Sequence, residues 1–179
     1  MQTLEELGVE PGLRHACNSA AALRHPEMAL DAVRAGIVIY GCEDAAMRPV
    51  MSVRALVTHV KEVSQGGSVG YGATWTAGRA TRVATVAIGY ADGIHRARSN
   101  KGWALIGGKR APFIGRVSMD AITLDVGELG DVRLGDVATL LGADGDQRIR
   151  AEEVAEWSGT ISYEVLTAVG PRVERRYLE

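Results

Sequence analysis

Residues 121–126 read AITLDV, and the stretch alternates without a break, with Ile122, Leu124 and Val126 on one face and Thr123 and Asp125 on the other. A period of two marks a β-strand with one face in a core. Working outward, residues 53–63, VRALVTHVKEV, are long and β-branched, and residues 83–90, VATVAIGY, are almost wholly apolar. Turn signals separate these runs: Gly66-Gly67, Ala91-Asp92-Gly93, Gly107-Gly108 and GADGD at 142–146. One segment breaks the pattern. AEEVAEWSG at 151–159 reads as a short helix with Val154, Ala155 and Ser158 on a stripe and Gly159 as its stop. From about residue 46 to residue 179 the expectation is therefore a mostly β domain.

Upstream, the pattern changes near residue 45. Thr3–Leu7 suits a helical turn that ends at Gly8. LRHACNS (13–19) looks extended and runs into AAALRHPEMALDAVRAG (20–36), where Pro26 fits a first helical turn, Leu30 and Val33 would share one face, and Gly36 stands as a C-cap. GIVIYG (36–41) then reads as a short buried strand. Helix and strand alternating at this spacing describe a partial α/β unit over residues 1–45. Two βα steps can neither close a barrel nor cover a parallel sheet. Such a unit is expected to be a fragment, or to borrow its remainder from elsewhere.

Composition excludes several functions. The chain has 179 residues, 46% hydrophobic and 23% charged, which is the balance of a packed globular protein. A net charge of −2 provides no basic field for nucleic acid or an anionic membrane. No apolar run approaches the roughly 20 residues of a transmembrane helix, and the acidic start carries no apolar signal region. Cys17 and Cys42 make neither a disulfide framework nor a metal-ligand spacing. A soluble, reduced, cytoplasmic chain is expected. Serine-hydrolase, zinc and nucleotide-loop motifs are all missing from the sequence. Lysine occurs only at Lys61, Lys101 and Lys109.

Several short stretches carry candidate chemistry. In HACNSAAALR, a strand would deliver His15, Asn18 and Ser19 to a helix start, where unpaired N–H groups suit a phosphate. The same residues also suit an ordinary cap beside a structural histidine. Arg34, Gly36 and Ile37 follow; Gly36 either exposes an N–H to a ligand or simply ends a helix. In GGSVGYGATW (66–75), glycines bracket Tyr71 and leave its phenol little side-chain cover, although a hairpin tyrosine packed across strands has the same sequence. A tyrosine acting as a base needs positive charge nearby, because its ordinary pKa lies near ~10. Tyr90 precedes the Asp92-Gly93 turn, and Met119 and Asp120 lie at a bend in IGRVSMD (114–120).

Taken in order, HACNSAAALRHPEMALDAVRAGIVIYG, SVGYGATW, VAIGYADG, IGRVSMD and ISYEVL resemble the carboxyl-terminal half of the alanine racemase family over nearly the whole chain. The resemblance implies a (β/α)8 barrel holding pyridoxal 5′-phosphate, followed by a mostly β domain. Residues 1–45 would then be its last βα steps, a TIM-barrel-like remnant. Barrel phosphate sites are often built by the loops after strands seven and eight. By the same likeness Ser19, Gly36 and Ile37 contact the phosphate with Asn18 beside them. Arg34 faces the pyridine nitrogen, buttressed by His15. A guanidinium is a poor proton donor, so that nitrogen stays unprotonated and the ring is a weaker electron sink.

The family inverts L- and D-alanine with two bases on opposite faces of the substrate, for the supply of cell-wall precursor. Tyr71 matches one base and would act across a homodimer interface. Met119 would hold the substrate carboxylate through its N–H, with Tyr90 lining the entry corridor and Asp120 near it. The other base, the cofactor-binding lysine, belongs to the barrel's amino-terminal motif, and Lys61, Lys101 and Lys109 do not match it. An arginine that clamps the carboxylate belongs there too. Where some members place a further phosphate-binding tyrosine, this chain has Pro171, with Tyr177 nearby. The isolated chain is accordingly expected to be inactive and to need the barrel half, and it need not bind the cofactor alone. A non-catalytic β interaction module and a racemase for another small amino acid such as serine are the alternatives.

Overall fold

The computed structural model describes residues 4 and 6–178, which fall into two compact units, residues 1–49 and 50–179. The Thr3–Leu7 turn falls partly outside the described residues, at Thr3 and Glu5.

In the first unit, β1 (His15–Asn18) pairs in parallel with β2 (Ala32–Arg34), and α1 (Ser19–Arg24) lies in the crossover between them. Parallel neighbours need such a connection. Asn18 starts the helix, its Oδ1 accepting from Ala21 N at 3.0 Å. The segment after it departs from the helical reading of residues 20–36. Pro26 does begin a helical turn, but only the three-residue 3-10 turn Pro26–Met28. Leu30 takes a positive φ of 58° and Val33 lies in β2, both exposed, so they share no helical face.

GIVIYG is not a strand. Ile37–Tyr40 form a 3-10 turn in which only Ile37 is buried, and Ile39 is 65% exposed. Gly36 starts that turn rather than capping a helix, and Gly41 ends it in the left-handed region at φ 73°. The parallel partner of β1 is Ala32–Arg34, ahead of the apolar run, because Arg14 pins Asp31. The Arg14 Nε and Nη2 atoms donate to the Asp31 carboxylate at 2.7 and 3.0 Å, and the Arg14 N–H adds a third bond at 3.0 Å.

The second unit is a closed antiparallel barrel. Strands β3 (Val53–Val63), β6 (Thr81–Val86), β7 (Trp103–Ile106), β8 (Lys109–Ile114), β9 (Ile122–Asp125) and β10 (Val137–Asp144) run in the order β10-β3-β6-β9-β8-β7, and β10 pairs again with β7. The last strand, β11 (Gln147–Ile149), folds back antiparallel against the end of β10. Closure removes the exposed edges that an open sheet must protect. The alternation of AITLDV holds: Ile122, Leu124 and Val126 are buried, while Thr123 and Asp125 are only half-buried. Leu124 pairs with both Ala84 and Phe113. Burying a leucine fully contributes about 1.5–3 kcal/mol.

The predicted helix forms as α2 (Ala151–Ser158), stopped by Gly159 at φ 71°, and α3 (Ser162–Thr167) follows. A hairpin of β4 (Ser68–Val69) and β5 (Trp75–Thr76) stands on its own small cluster, with Val69 and Trp75 packed against Val63, Ala77, Val83 and Ile114. Among the described residues no helix is long and apolar enough to cross a membrane.

Candidate functional site

In the first unit the parallel pair and its crossover bring six candidate residues into one neighbourhood. Ser19, at the first turn of α1, is buried, and its Oγ accepts from Gly36 N at 2.9 Å and from Val38 N at 3.5 Å. The hydroxyl hydrogen of Ser19 and the N–H of Ile37 have no acceptor among the described residues. Two donors with no partner on the rim of a β–α connection suit an anion with several acceptor oxygens. Arg34 Nη1 lies 3.0 Å from His15 Nδ1 and donates to His15 O at 3.2 Å, so the ends of β1 and β2 are tied by side chains as well as by register. Arg34 has no carboxylate partner among the described residues, and its guanidinium retains donors for a ligand.

Tyr71 opens a 3-10 turn at the tip of the β4–β5 hairpin. Gly70 at φ 79° and Gly72 at φ 72° hold the chain in a conformation that other residues rarely adopt. The phenol is 73% exposed, so the cross-strand packing open at the sequence level does not occur. The hairpin tip is nonetheless fixed. Asn100 Nδ2 donates to Thr74 Oγ1 at 3.2 Å, and Asn100 Oδ1 accepts from Gly115 N at 2.6 Å. The Arg116 guanidinium lies against Gly72, 3.4 Å from where a Cβ would stand. That places a cation beside the tyrosine turn.

Tyr90, Met119 and Asp120 form a third group in the same unit. Tyr90 N donates to Ser118 O at 2.9 Å and Ala91 N to Met119 O at 3.0 Å, zipping the 89–93 and 118–121 loops together. The approach is so close that Gly89 has no room for a side chain: a Cβ would meet Met119 O at 2.3 Å. No acceptor reaches Met119 N–H among the described residues, and the Tyr90 and Met119 side chains are exposed.

Arg172 bridges the two loops. Its Nε lies 3.2 Å from Asp92 Oδ1 and its Nη2 lies 2.6 Å from Asp120 Oδ1. The Asp120 hydrogen bond, helped by the Asp92 charge, raises the Arg172 pKa above the usual guanidinium value. Asp92 also accepts from Gly89 N at 2.8 Å. Sequence reasoning missed Asn100, Arg116, Asp92 and Arg172. Single arginines and asparagines carry no spacing signal, and Arg172 meets a partner 52 residues away. Pro171 and Tyr177 are exposed, and neither joins this group.

An α/β unit with an unsatisfied donor pair, followed by a closed β barrel that projects a glycine-braced tyrosine, defines a two-part α/β-plus-β-barrel class. The family model described as alanine racemase, C-terminal domain, matches residues 50–177, and that of alanine racemase, N-terminal domain, matches residues 1–44. The chain belongs to the alanine racemase family. It is 44% identical to the alanine racemase of Sorangium cellulosum, aligned over 99% of this chain and 49% of the relative. The Streptomyces coelicolor alanine racemase structure superposes with a TM-score of 0.93 at 37% identity, covering 99% of this chain and 48% of that one. A Bartonella henselae alanine racemase with covalently bound pyridoxal phosphate gives a TM-score of 0.87 at 30% identity, over 99% of this chain and 50% of that one. The chain thus spans about half the length of the curated relatives it matches.

Proposed function

We propose that this chain is the carboxyl-terminal portion of a pyridoxal-phosphate-dependent alanine racemase, with residues 1–45 as the last βα steps of the cofactor barrel and residues 46–179 as the β domain. The observation that carries this reading is the exposed Tyr71 phenol, held at a hairpin tip by two left-handed glycines. Exposure of that kind costs burial and contributes nothing to the chain's own core; it suits a group that works on something outside its own unit.

The donor set fits the cofactor. The Ser19 hydroxyl and the Ile37 N–H would hold its phosphate, with Gly36 and Asn18 shaping the turn around them. Arg34, oriented by the His15 ring at 3.0 Å, would face the ring nitrogen. When bound, the cofactor supplies an electron sink that makes the substrate Cα–H acidic. Tyr71 would remove or return that proton on one face, with the Arg116 guanidinium beside its turn. The opposite base is a lysine from the amino-terminal half, since Lys61, Lys101 and Lys109 all lie in the β domain. Met119 N–H would orient the substrate carboxylate, and Tyr90 and Asp120 would flank its entry. We assign alanine as the substrate, a homodimer in which Tyr71 serves the partner's barrel, and a cytoplasmic reaction.

The test is complementation. The chain is mixed with a separately expressed amino-terminal half and pyridoxal phosphate, and cofactor absorbance and alanine racemisation are followed. The chain alone is expected to give neither, and the pair both. Tyr71→Phe in the pair should keep the absorbance and lose racemisation in both directions, because the equilibrium constant between enantiomers is one. Normal racemisation by that variant would refute the role of Tyr71. Faster turnover of serine than of alanine would refute the substrate.

A further inference from the structure

Arg98 ends the 3-10 turn Arg96–Arg98 and is 1% exposed. Its guanidinium lies 4.1 Å from the Phe113 ring centroid and 5.2 Å from that of Trp157. Nη2 donates to Trp103 O at 2.9 Å. Nε has no acceptor, and no carboxylate lies within ion-pair distance among the described residues. Burial pulls the pKa down to about 9, which leaves the group charged at neutral pH. Aromatic faces offset only part of the cost of burying a cation, and an unpaired interior charge is among the costliest arrangements in a protein.

Arg98 also lines a cavity of about 20 Å³. A single water needs roughly 10–15 Å³ of such space, so the cavity holds one monatomic particle and little more. Its wall is mostly aliphatic, including Ile94, Leu140 and Val154, with Asp92 and His95 as the other polar residues. Asp92 does not neutralise Arg98, because its two oxygens serve Gly89 N and Arg172 Nε. A water needs two to four polar partners and would leave the charge uncompensated. A weakly hydrated anion needs only a donor, tolerates aliphatic neighbours and supplies the missing charge.

We propose that the cavity beside Arg98 is a binding site for one small monovalent anion of the chloride class, which accepts from Arg98 Nε and neutralises the buried guanidinium. The site lies within the β domain and stands independently of the racemase reading.

The experiment uses the 179-residue chain as it is. Thermal unfolding is measured at pH 7 and constant ionic strength in sodium chloride, bromide or gluconate, and crystals grown in bromide are measured for anomalous scattering. Chloride and bromide should raise the midpoint saturably over gluconate by about 2–5 °C. Arg98→Met should abolish the difference, and an anomalous peak should lie within hydrogen-bonding distance of Nε. The proposal is overturned if the chain shows no halide-specific shift, if Arg98→Met retains the full shift, or if the cavity shows density without anomalous signal. Should Arg98→Met fail to fold, the bromide peak alone decides.

Discussion

Replacing Gly89 with alanine tests how tightly the two candidate substrate loops are joined. Gly89 sits at φ −146°, which any residue adopts, so the backbone itself resists nothing. The obstacle is space. A Cβ would stand 2.3 Å from Met119 O and 2.4 Å from Ser118 O, against a practical minimum of 3.0 Å, so the loops must separate by roughly 0.7 Å or more. That separation takes the Tyr90 N–Ser118 O and Ala91 N–Met119 O bonds, at 2.9 and 3.0 Å, beyond hydrogen-bonding range. Two lost bonds cost about 0.5–1.5 kcal/mol each, and the residual overpacking about 1–3 kcal/mol. The sum is about 2–6 kcal/mol. In urea this should lower the unfolding midpoint by about 1–3 M with an unchanged slope. Gly78→Ala is the control: it has no neighbour within 4 Å among the described residues and no positive φ, and should stay within about 0.5 kcal/mol of the parent. If Gly89→Ala matches Gly78→Ala, the loops are not held in the close contact described here.

Further outcomes follow from other contacts. Leu124→Ala, fully buried between Ala84 and Phe113, should cost about 2–5 kcal/mol in denaturant titration. Arg172→Ala should leave the barrel core intact but speed amide exchange at residues 89–93 and 118–121, because it removes the bridge between Asp92 and Asp120; unchanged exchange would show the backbone rungs suffice. The Arg14 side-chain hydrogen bonds hold the Asp31 carboxyl down at about 2, below its ordinary 3.8. Its contribution to stability is therefore complete above about pH 4 and is lost as pH falls through about 2. A carboxyl titration by NMR should find that midpoint, and Arg14→Gln should return it toward 3.8.

Much of the β domain is legible in the chain because a strand with one buried face writes its period directly into the residues. AITLDV carries that mark, VRALVTHVKEV shows instead its β-branched composition, and both become strands, the latter as the whole of β3. The glycines around Tyr71 were equally readable, since only a backbone in the left-handed region needs them on both sides of one residue. GIVIYG was not readable in this way. A short apolar run has no period of its own and takes its structure from whichever partner the chain brings to it. Here the Arg14–Asp31 pairing places β2 ahead of it, and the run folds into a 3-10 turn. The hydrogen-bonded ties among the candidate residues belong to the same category. His15 and Arg34 are 19 residues apart, and Arg172 and Asp120 are 52 apart. Local sequence determined which segments alternate and where the chain must turn, because those depend on steric and hydrophobic preferences of neighbours. Tertiary structure decided which charges meet, which loops touch, and that Arg98 is buried, because those depend on strand order and closure around the barrel.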